Sequence, residues 1–226
     1  MFKGTSASAG IGIGKAVIVE EAELVITRNE VADAEAEIQR FKGALEKTIA
    51  ATQKMADDLA SRVGEKEAEI MQGHMMLLSD PMLTGEIESS IRNDKVNSEF
   101  AIENVCSMYA DMFASMGDEL MQQRATDMRD IKVRMQRTLM GLESVDVSLL
   151  PKGSILVAKD LTPSMTAGIN PENVSGIVTE LGGKTSHSAI LARALEIPAV
   201  VAVNGLMDAV KDGDSVVLDG STGEVF

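Results

Sequence analysis

The chain has 226 residues, and its 21 Lys+Arg against 35 Asp+Glu give a formal net charge of −14. That acidity argues against nucleic acid or an anionic membrane surface as the main ligand, since both require a basic footprint, and suits a basic protein partner or plain solubility. Hydrophobic residues at 45% with 25% charged describe a folded chain of one or two domains, and aromatics at 3% leave few rings to stack on bases or sugars.

The single cysteine, Cys106, cannot close an internal disulfide, which predicts a cytoplasmic chain. Its apolar surroundings, Val105-Cys106-Ser107-Met108, give it the reading of a core filler. The first residues carry no signal-peptide pattern. No apolar run reaches the roughly 18–20 residues that a membrane helix needs.

In chain order, residues 1–20 come first, rich in glycine and β-branched side chains. Ala9-Gly10-Ile11-Gly12-Ile13-Gly14-Lys15-Ala16-Val17-Ile18-Val19 predicts a short strand entered through a flexible turn. It is a poor phosphate loop: that pattern needs glycine where Ala9 stands and Ser or Thr where Ala16 stands.

From about Asn29 to Gly141 strand signals vanish. Helix-forming composition, punctuated at Gly64, Pro81 and Asn93–Asn97, predicts helices near 32–62, 66–79, 81–93, 98–121 and 126–140. Ile102, Val105, Tyr109, Met112, Met116 and Leu120 recur at helical spacing and predict a core stripe. Met71, His74, Met75 and Leu78 share one face of the second helix. With no second histidine near it and no cysteine paired with it, His74 is predicted to be a packed or interface residue, not a metal ligand.

Past Pro151 the pattern turns back to short apolar runs at 154–158, 176–179, 199–202 and 215–218, each bounded by Gly, Pro, Asp or Asn. These predict strands, and a helix fits between Ser186 and Leu195. Twenty N-terminal residues are too few for a sheet of their own, so they are predicted to join the C-terminal one. The result is an α/β domain split between residues 1–20 and 146–226, with an all-α subdomain, 21–145, inserted between them.

The second histidine, His187, follows a strand and a Gly182-Gly183 turn at the predicted start of that last helix, with Ser186 or Thr185 as N-cap. Backbone N–H groups without partners gather there and favour an anion, phosphate above all. The same helix end disfavours imidazolium, and neutral imidazole is the nucleophilic form. Gly182 and Gly183 let backbone approach a phosphoryl group closely, and Lys184 adds a mobile positive charge. On chemistry alone a phosphorylated histidine competes with a capping or packing one, and both readings stay open.

The run Gly182-Gly183-Lys184-Thr185-Ser186-His187-Ser188-Ala189-Ile190-Leu191-Ala192-Arg193 closely resembles the phosphohistidine signature of phosphoenolpyruvate-utilising enzymes. That signature reads Gly-Gly-x-Thr-Ser-His, a short variable stretch, then Ala-Arg. Asp160-Leu161-Thr162-Pro163-Ser164-Met165-Thr166 and Glu196-Ile197-Pro198-Ala199-Val200 fit the same family. Three further stretches are similar to the enzyme I branch, which serves bacterial sugar uptake: residues 4–12, 69–80 and 124–131. The resemblance covers essentially the whole chain.

The resemblance implies a swivelling β/β/α phosphohistidine domain carrying an inserted helical bundle. It makes His187 the phosphorylated nucleophile and Thr166 its hydrogen-bonding partner. Lys184, Gly182, Gly183, Thr185 and Ser186 would support the phosphate. The helical subdomain would dock the phosphocarrier protein HPr through Glu65, Glu67, Ile70, Met71, His74, Met76, Leu77, Leu83 and Arg124. No cofactor is expected within these residues. Mg2+ is expected only with the family's C-terminal domain, which binds phosphoenolpyruvate and forms the dimer. The chain is then a monomeric N-terminal half that exchanges phosphate with HPr only. Beside this stand two other readings: a phosphotransfer domain of a dihydroxyacetone kinase subunit or of a dikinase, and a non-catalytic helical adaptor in which His187 has no role.

Overall fold

The computed structural model describes residues 1–226. Their contacts divide into two units, Met1–Glu21 with Val145–Phe226, and Ala22–Ser144.

In the first unit, short apolar runs between glycines and prolines make eight strands: β1 (Phe2–Lys3), β2 (Thr5–Ser8), β3 (Ile11–Ile18), β4 (Ser154–Ala158), β5 (Val174–Thr179), β6 (Ala199–Val201), β7 (Ser215–Asp219) and β8 (Glu224–Val225). They form one mixed sheet in the order β1-β8-β7-β3-β4-β5-β6-β2. β3, β4, β5 and β6 run parallel, and the other pairings are antiparallel.

The N-terminal residues supply three strands where the sequence predicts one: both edges and a central strand. Gly4, and Gly10 at φ 120°, break the run into pieces too short to show periodicity. The glycines inside β3 answer to backbone, not to a ligand. A Cβ on Gly14 would lie 2.0 Å from the Gly153 carbonyl oxygen, and one on Gly12 2.6 Å from that of Ser175.

β4 is buried throughout, and its alternate side chains feed two cores. Leu156 and Ala158 join Ile177, Ala199 and Val201 on one face, while Ile155 and Val157 join Val178, Val200 and Leu218 on the other. The first face is covered by helices α6 (Pro163–Ala167) and α7 (His187–Ala194); α7 contributes Ala189 and Ala192. Leu206 of α8 (Leu206–Ala209) enters the second core. Each fully buried Leu or Ile contributes roughly 1.5–3 kcal/mol.

The second unit is five helices: α1 (Ala34–Arg62), α2 (Glu65–Leu78), α3 (Pro81–Asp94), α4 (Ser98–Ser115) and α5 (Glu119–Met140). Asp33, Asp80 and Asp118 cap α1, α3 and α5 with their side chains, and Gly141 at φ 67° ends α5. The fourth helix stops at Ser115, short of the predicted 121. Gly117 at φ 76° breaks it, and Asp118 restarts the chain as α5 by accepting from Met121 N at 2.9 Å.

The predicted core stripe is accordingly half right. Ile102 and Val105 are buried and Tyr109 meets Phe113 edge-on, whereas Met112, Met116 and Leu120 are 44%, 54% and 58% exposed. Ile38, Phe41, Leu83, Ile87, Ile102 and Ile131 anchor an apolar core. A second, polar layer lies where α1, α2 and α5 meet: Thr48 and Thr52 from α1, His74 from α2, Asp127, Asp130 and Arg134 from α5, all buried. Arg134 Nη2 donates to Thr52 Oγ1 at 2.7 Å. No helix of the chain is long and apolar enough to cross a membrane.

Candidate functional site

β5 delivers the chain to Leu181, whose carbonyl accepts from Thr179 Oγ1 at 2.6 Å and from Ala202 N at 3.3 Å. Gly182 then turns at φ 100°, a region that favours glycine. Gly183 has nothing within 4 Å of where a Cβ would stand, so the loop is open on that side.

Ser186 is the N-cap of α7, accepting from Ala189 N at 3.3 Å, and His187 is therefore the first helical residue. Ser186 also closes the loop on itself. Its backbone N and its Oγ donate to the Gly183 carbonyl at 3.1 and 2.8 Å, and its Oγ lies 2.9 Å from Ser188 Oγ. Gly182, Gly183, Lys184, Thr185, Ser186 and His187 thus form one continuous loop and helix start. Lys184 and Thr185 are exposed and His187 is half-buried.

Thr166 lies in α6, which packs against α7. It is buried, and its hydroxyl donates to the Thr162 carbonyl at 2.8 Å. With its one proton so used, Thr166 Oγ1 can only accept from a further partner. Asp160 precedes α6, and its Oδ1 is 3.8 Å from where a Cβ on Gly182 would stand. Burial pushes the Asp160 carboxyl above its ordinary range, against the opposing hydrogen bond from Leu161 N.

The residues assigned to docking separate into two sets. Glu65 and Met76 are exposed, and Glu67, Ile70, Leu77 and Arg124 are half-buried. A Cβ on Gly73 would lie 3.3 Å from Arg124 Nη1, so α5 brings that guanidinium against α2. Met71, His74 and Leu83 require correction: at 0%, 0% and 1% exposure they present nothing to a partner. Ala68, Met71, His74 and Leu78 form the stripe that α2 buries against its neighbours. His74 Nε2 lies 3.0 Å from Asp127 Oδ1, and its Nδ1 lies 4.0 Å from Asp130 Oδ2.

Other exposed apolar side chains were not singled out from the sequence as partner-facing. Met82 is 69% exposed at the start of α3, beside the α2–α3 turn that follows Met76. The C-terminal half of α4 reaches the same end of the unit, since α4 packs against α3 and Tyr109 lies within electrostatic reach of Glu86 and Asp80. So does the start of α5, where Gln122 Nε2 donates to the Ala114 carbonyl at 2.8 Å. Met76, Met82, Met112, Met116 and Leu120 are therefore exposed apolar side chains at one end of the helical unit. Helical spacing marked Met112, Met116 and Leu120 as one stripe; nothing in spacing tells an exposed stripe from a buried one.

Comparison with known proteins follows this division. The family described as PEP-utilising enzyme, N-terminal, matches residues 3–124, and that described as PEP-utilising enzyme, mobile domain, matches residues 150–223. The phosphoenolpyruvate-protein phosphotransferase of Bacillus subtilis is 42% identical over all of this chain and 40% of its own length. That of Listeria monocytogenes is 43% identical over all of this chain and 39% of its own. The chain thus spans about two fifths of the length of these relatives. A solution structure of an enzyme I protein superposes with a TM-score of 0.84 at 39% identity, covering all of this chain and 92% of that one. The N-terminal domain of a nitrogen enzyme 1 shares the fold, with a TM-score of 0.64 at 24% identity.

Proposed function

The chain belongs to the PEP-utilising enzymes, where it corresponds to the N-terminal region of enzyme I, and from that we propose that His187 accepts a phosphoryl group and exchanges it with a histidine of HPr. The observation that carries the proposal is the setting of His187. It is the first residue of α7, on a glycine loop with an open side above Gly183.

Neutral His187 attacks the phosphorus of phosphorylated HPr in line. The new N–P bond forms as the bond to the HPr imidazole breaks, and its electron pair returns to that ring. If each ring keeps its N–H throughout, the donor leaves as neutral imidazole and His187 becomes a protonated phosphoimidazole. No other proton need move, and the reverse step is equally balanced. Catalysis is then a matter of position and of stabilising spread phosphoryl charge. N–H groups at the start of α7 and the ammonium of Lys184 supply that stabilisation. Thr166, able only to accept, would hold the N–H of the imidazole and leave the lone pair on the attacking nitrogen.

HPr would dock on the helical unit. The exposed apolar group Met76, Met82, Met112, Met116 and Leu120, with Glu65 and Glu67 at the other end of α2, suits a partner with an apolar patch and basic residues set apart from it. We place the exchange in the cytoplasm, in keeping with a single cysteine that closes no disulfide. The magnesium associated with phosphoenolpyruvate chemistry does not fit the side chains present, because no three His, Cys, Asp or Glu residues converge to hold a metal. No step is routed through it. Intact mass after incubation with phosphorylated HPr tests the proposal: one acid-labile phosphate on the wild type and none on His187→Ala supports it. A wild type that gains no phosphate overturns it.

A further inference from the structure

We infer that Arg193 is a positioning residue for phosphoryl transfer, acting through the Lys184 carbonyl instead of on the phosphate. The inference rests on the reading that His187 carries the phosphoryl group. Arg193 closes the resemblance to the phosphohistidine signature, yet the sequence assigns it no task. A cation so near the site invites the reading of a phosphate clamp. Its contacts point elsewhere. From the last turn of α7, Nη1 donates to the Ala7 carbonyl at 2.8 Å, and Nη2 donates to the Lys184 carbonyl at 3.0 Å.

The first contact ties the guanidinium to the framework. β2 is an edge strand, and its register against β6 steps from Ser6↔Val200 to Ser8↔Ala199. Ala7 is the extra residue of that bulge, outside the ladder, and so has a carbonyl to offer. The second contact fixes the loop. No peptide bond of the chain is cis, and a peptide unit is planar, so holding the Lys184 carbonyl also holds the Thr185 N–H, which points the opposite way. One peptide earlier, Ser186 N and Oγ hold the Gly183 carbonyl and thereby the Lys184 N–H. Two successive amides just before His187 are thus set, one by Ser186 and one by Arg193. Fixed N–H donors stabilise developing phosphoryl charge without reorganising at the moment of transfer.

Arginine suits this task because its planar fork reaches two carbonyls at once, whereas a lysine ammonium is a point donor. One N–H of each terminal nitrogen is committed to backbone, and those two bonds set where the guanidinium lies.

The test compares wild type, Arg193→Lys and Arg193→Ala in transfer from phosphorylated HPr, with the Thr185 amide followed by 15N-resolved NMR. The expected result is a kcat lowered on the order of 10–100-fold in Arg193→Ala, as for a reacting group held slightly out of place. Arg193→Lys should fall between the two, KM for phosphorylated HPr should be unchanged, and the Thr185 resonance should move in both variants. An Arg193→Ala protein transferring at the wild-type rate would overturn the inference. So would a loss that follows only the unfolded fraction while the Thr185 resonance of the folded protein stays put. Failure of the wild type to gain phosphate removes the underlying reading, and is distinguished by occurring without any substitution at Arg193.

Discussion

His74 and His187 are the only histidines in the chain, and the regions around them put the same ring to opposite uses. His74 lies mid-helix in α2, fully buried, with one carboxylate 3.0 Å from Nε2 and another 4.0 Å from Nδ1. Both nitrogens face charge supplied by α5, so the ring belongs to the packing of the helical unit. His187 stands at a helix start after two glycines and a polar triplet, half-buried. There the chain has not yet begun to spend its own N–H groups on helix bonds. A nucleophile of this kind needs stabilisation for incoming negative charge: the two carboxylates withhold it at His74, and a helix start supplies it at His187, whose ring nitrogens are themselves covered by protein.

The largest effect expected follows directly. His187→Ala should lower phosphate uptake from phosphorylated HPr to background, a loss greater than about 10³-fold. It should leave the fold intact, since a half-exposed first-turn residue contributes little to the core. Acid-labile phosphate is the quantity to measure. Stoichiometric labelling of His187→Ala would break the comparison at once.

His74→Ala should do the reverse. Removing the ring takes a partner from the buried Asp127 carboxylate and leaves a cavity between α2 and α5. A loss of about 3 kcal/mol or more is expected in denaturant unfolding, as for a broken buried pair. Below the unfolding transition the variant should still accept one phosphate. A stable His74→Ala protein that accepts none would move His74 from packing into chemistry.

The comparison also marks what a sequence discloses. The strands after Pro151, the place of α7 and a hydroxyl cap at Ser186 or Thr185 were legible, because each rests on local signals: short apolar runs, a glycine pair, a hydroxyl before a helix; the structure chooses Ser186. The small strands β1 and β2 were not legible, since residues 2–8 carry too few alternations and pair only with segments about 200 residues away. The burial of Met71, His74 and Leu83 escaped for a related reason. Periodicity gives a helix a face but does not say what covers it, so exposed Met112 and buried Met71 looked alike. The Arg193 contact was hidden because it runs through a bulge, which no residue type announces.

The two regions should also respond to acid in opposite directions. In the helical unit, burial would raise the Glu99 carboxyl, but Arg40, a backbone N–H and Asn97 outweigh it and hold it below the ordinary range. Gln136, Lys132 and Ser107 outweigh burial at Glu103 in the same way. A carboxyl lowered in the folded state contributes stability above its unfolded value of about 4.3, and that stability is lost as pH falls through the folded value. Asp160, beside the His187 loop, is raised by burial. Its ionised form therefore costs stability above the folded value, and the cost lifts as pH falls through it. Unit-resolved unfolding between neutral pH and about pH 3 should show the helical unit weakening, with Glu103→Gln flattening the slope. Asp160→Asn, whose amide oxygen can still accept from Leu161 N, should stabilise the α/β unit at pH 7. An Asp160→Asn protein less stable at pH 7, or a Glu103→Gln slope as steep as the wild type, would contradict these signs.

The smallest effect concerns methionines, where the exposed end of the helical unit contrasts with its own interior. Met71 is fully buried and Met76, five residues on in α2, is 67% exposed. Met71→Ala removes packed volume and should destabilise by roughly 2–5 kcal/mol. Met76→Ala and Met82→Ala remove side chains that touch mostly solvent, and their stability should stay within about 0.5 kcal/mol of wild type. Their effect belongs to HPr binding. A flexible thioether seated on an apolar patch of a partner contributes on the order of 1 kcal/mol, less than a buried aromatic anchor would. It should appear in the off-rate, because contact formed after encounter does not alter steering. The acidic Glu65 and Glu67 at the other end of α2 should show the complementary behaviour, with Glu65→Lys lowering the on-rate and weakening its salt dependence. Surface plasmon resonance against immobilised HPr at two salt concentrations separates the two contributions. An unchanged off-rate in a Met76→Ala, Met82→Ala double variant would take the docking face away from this end of the bundle.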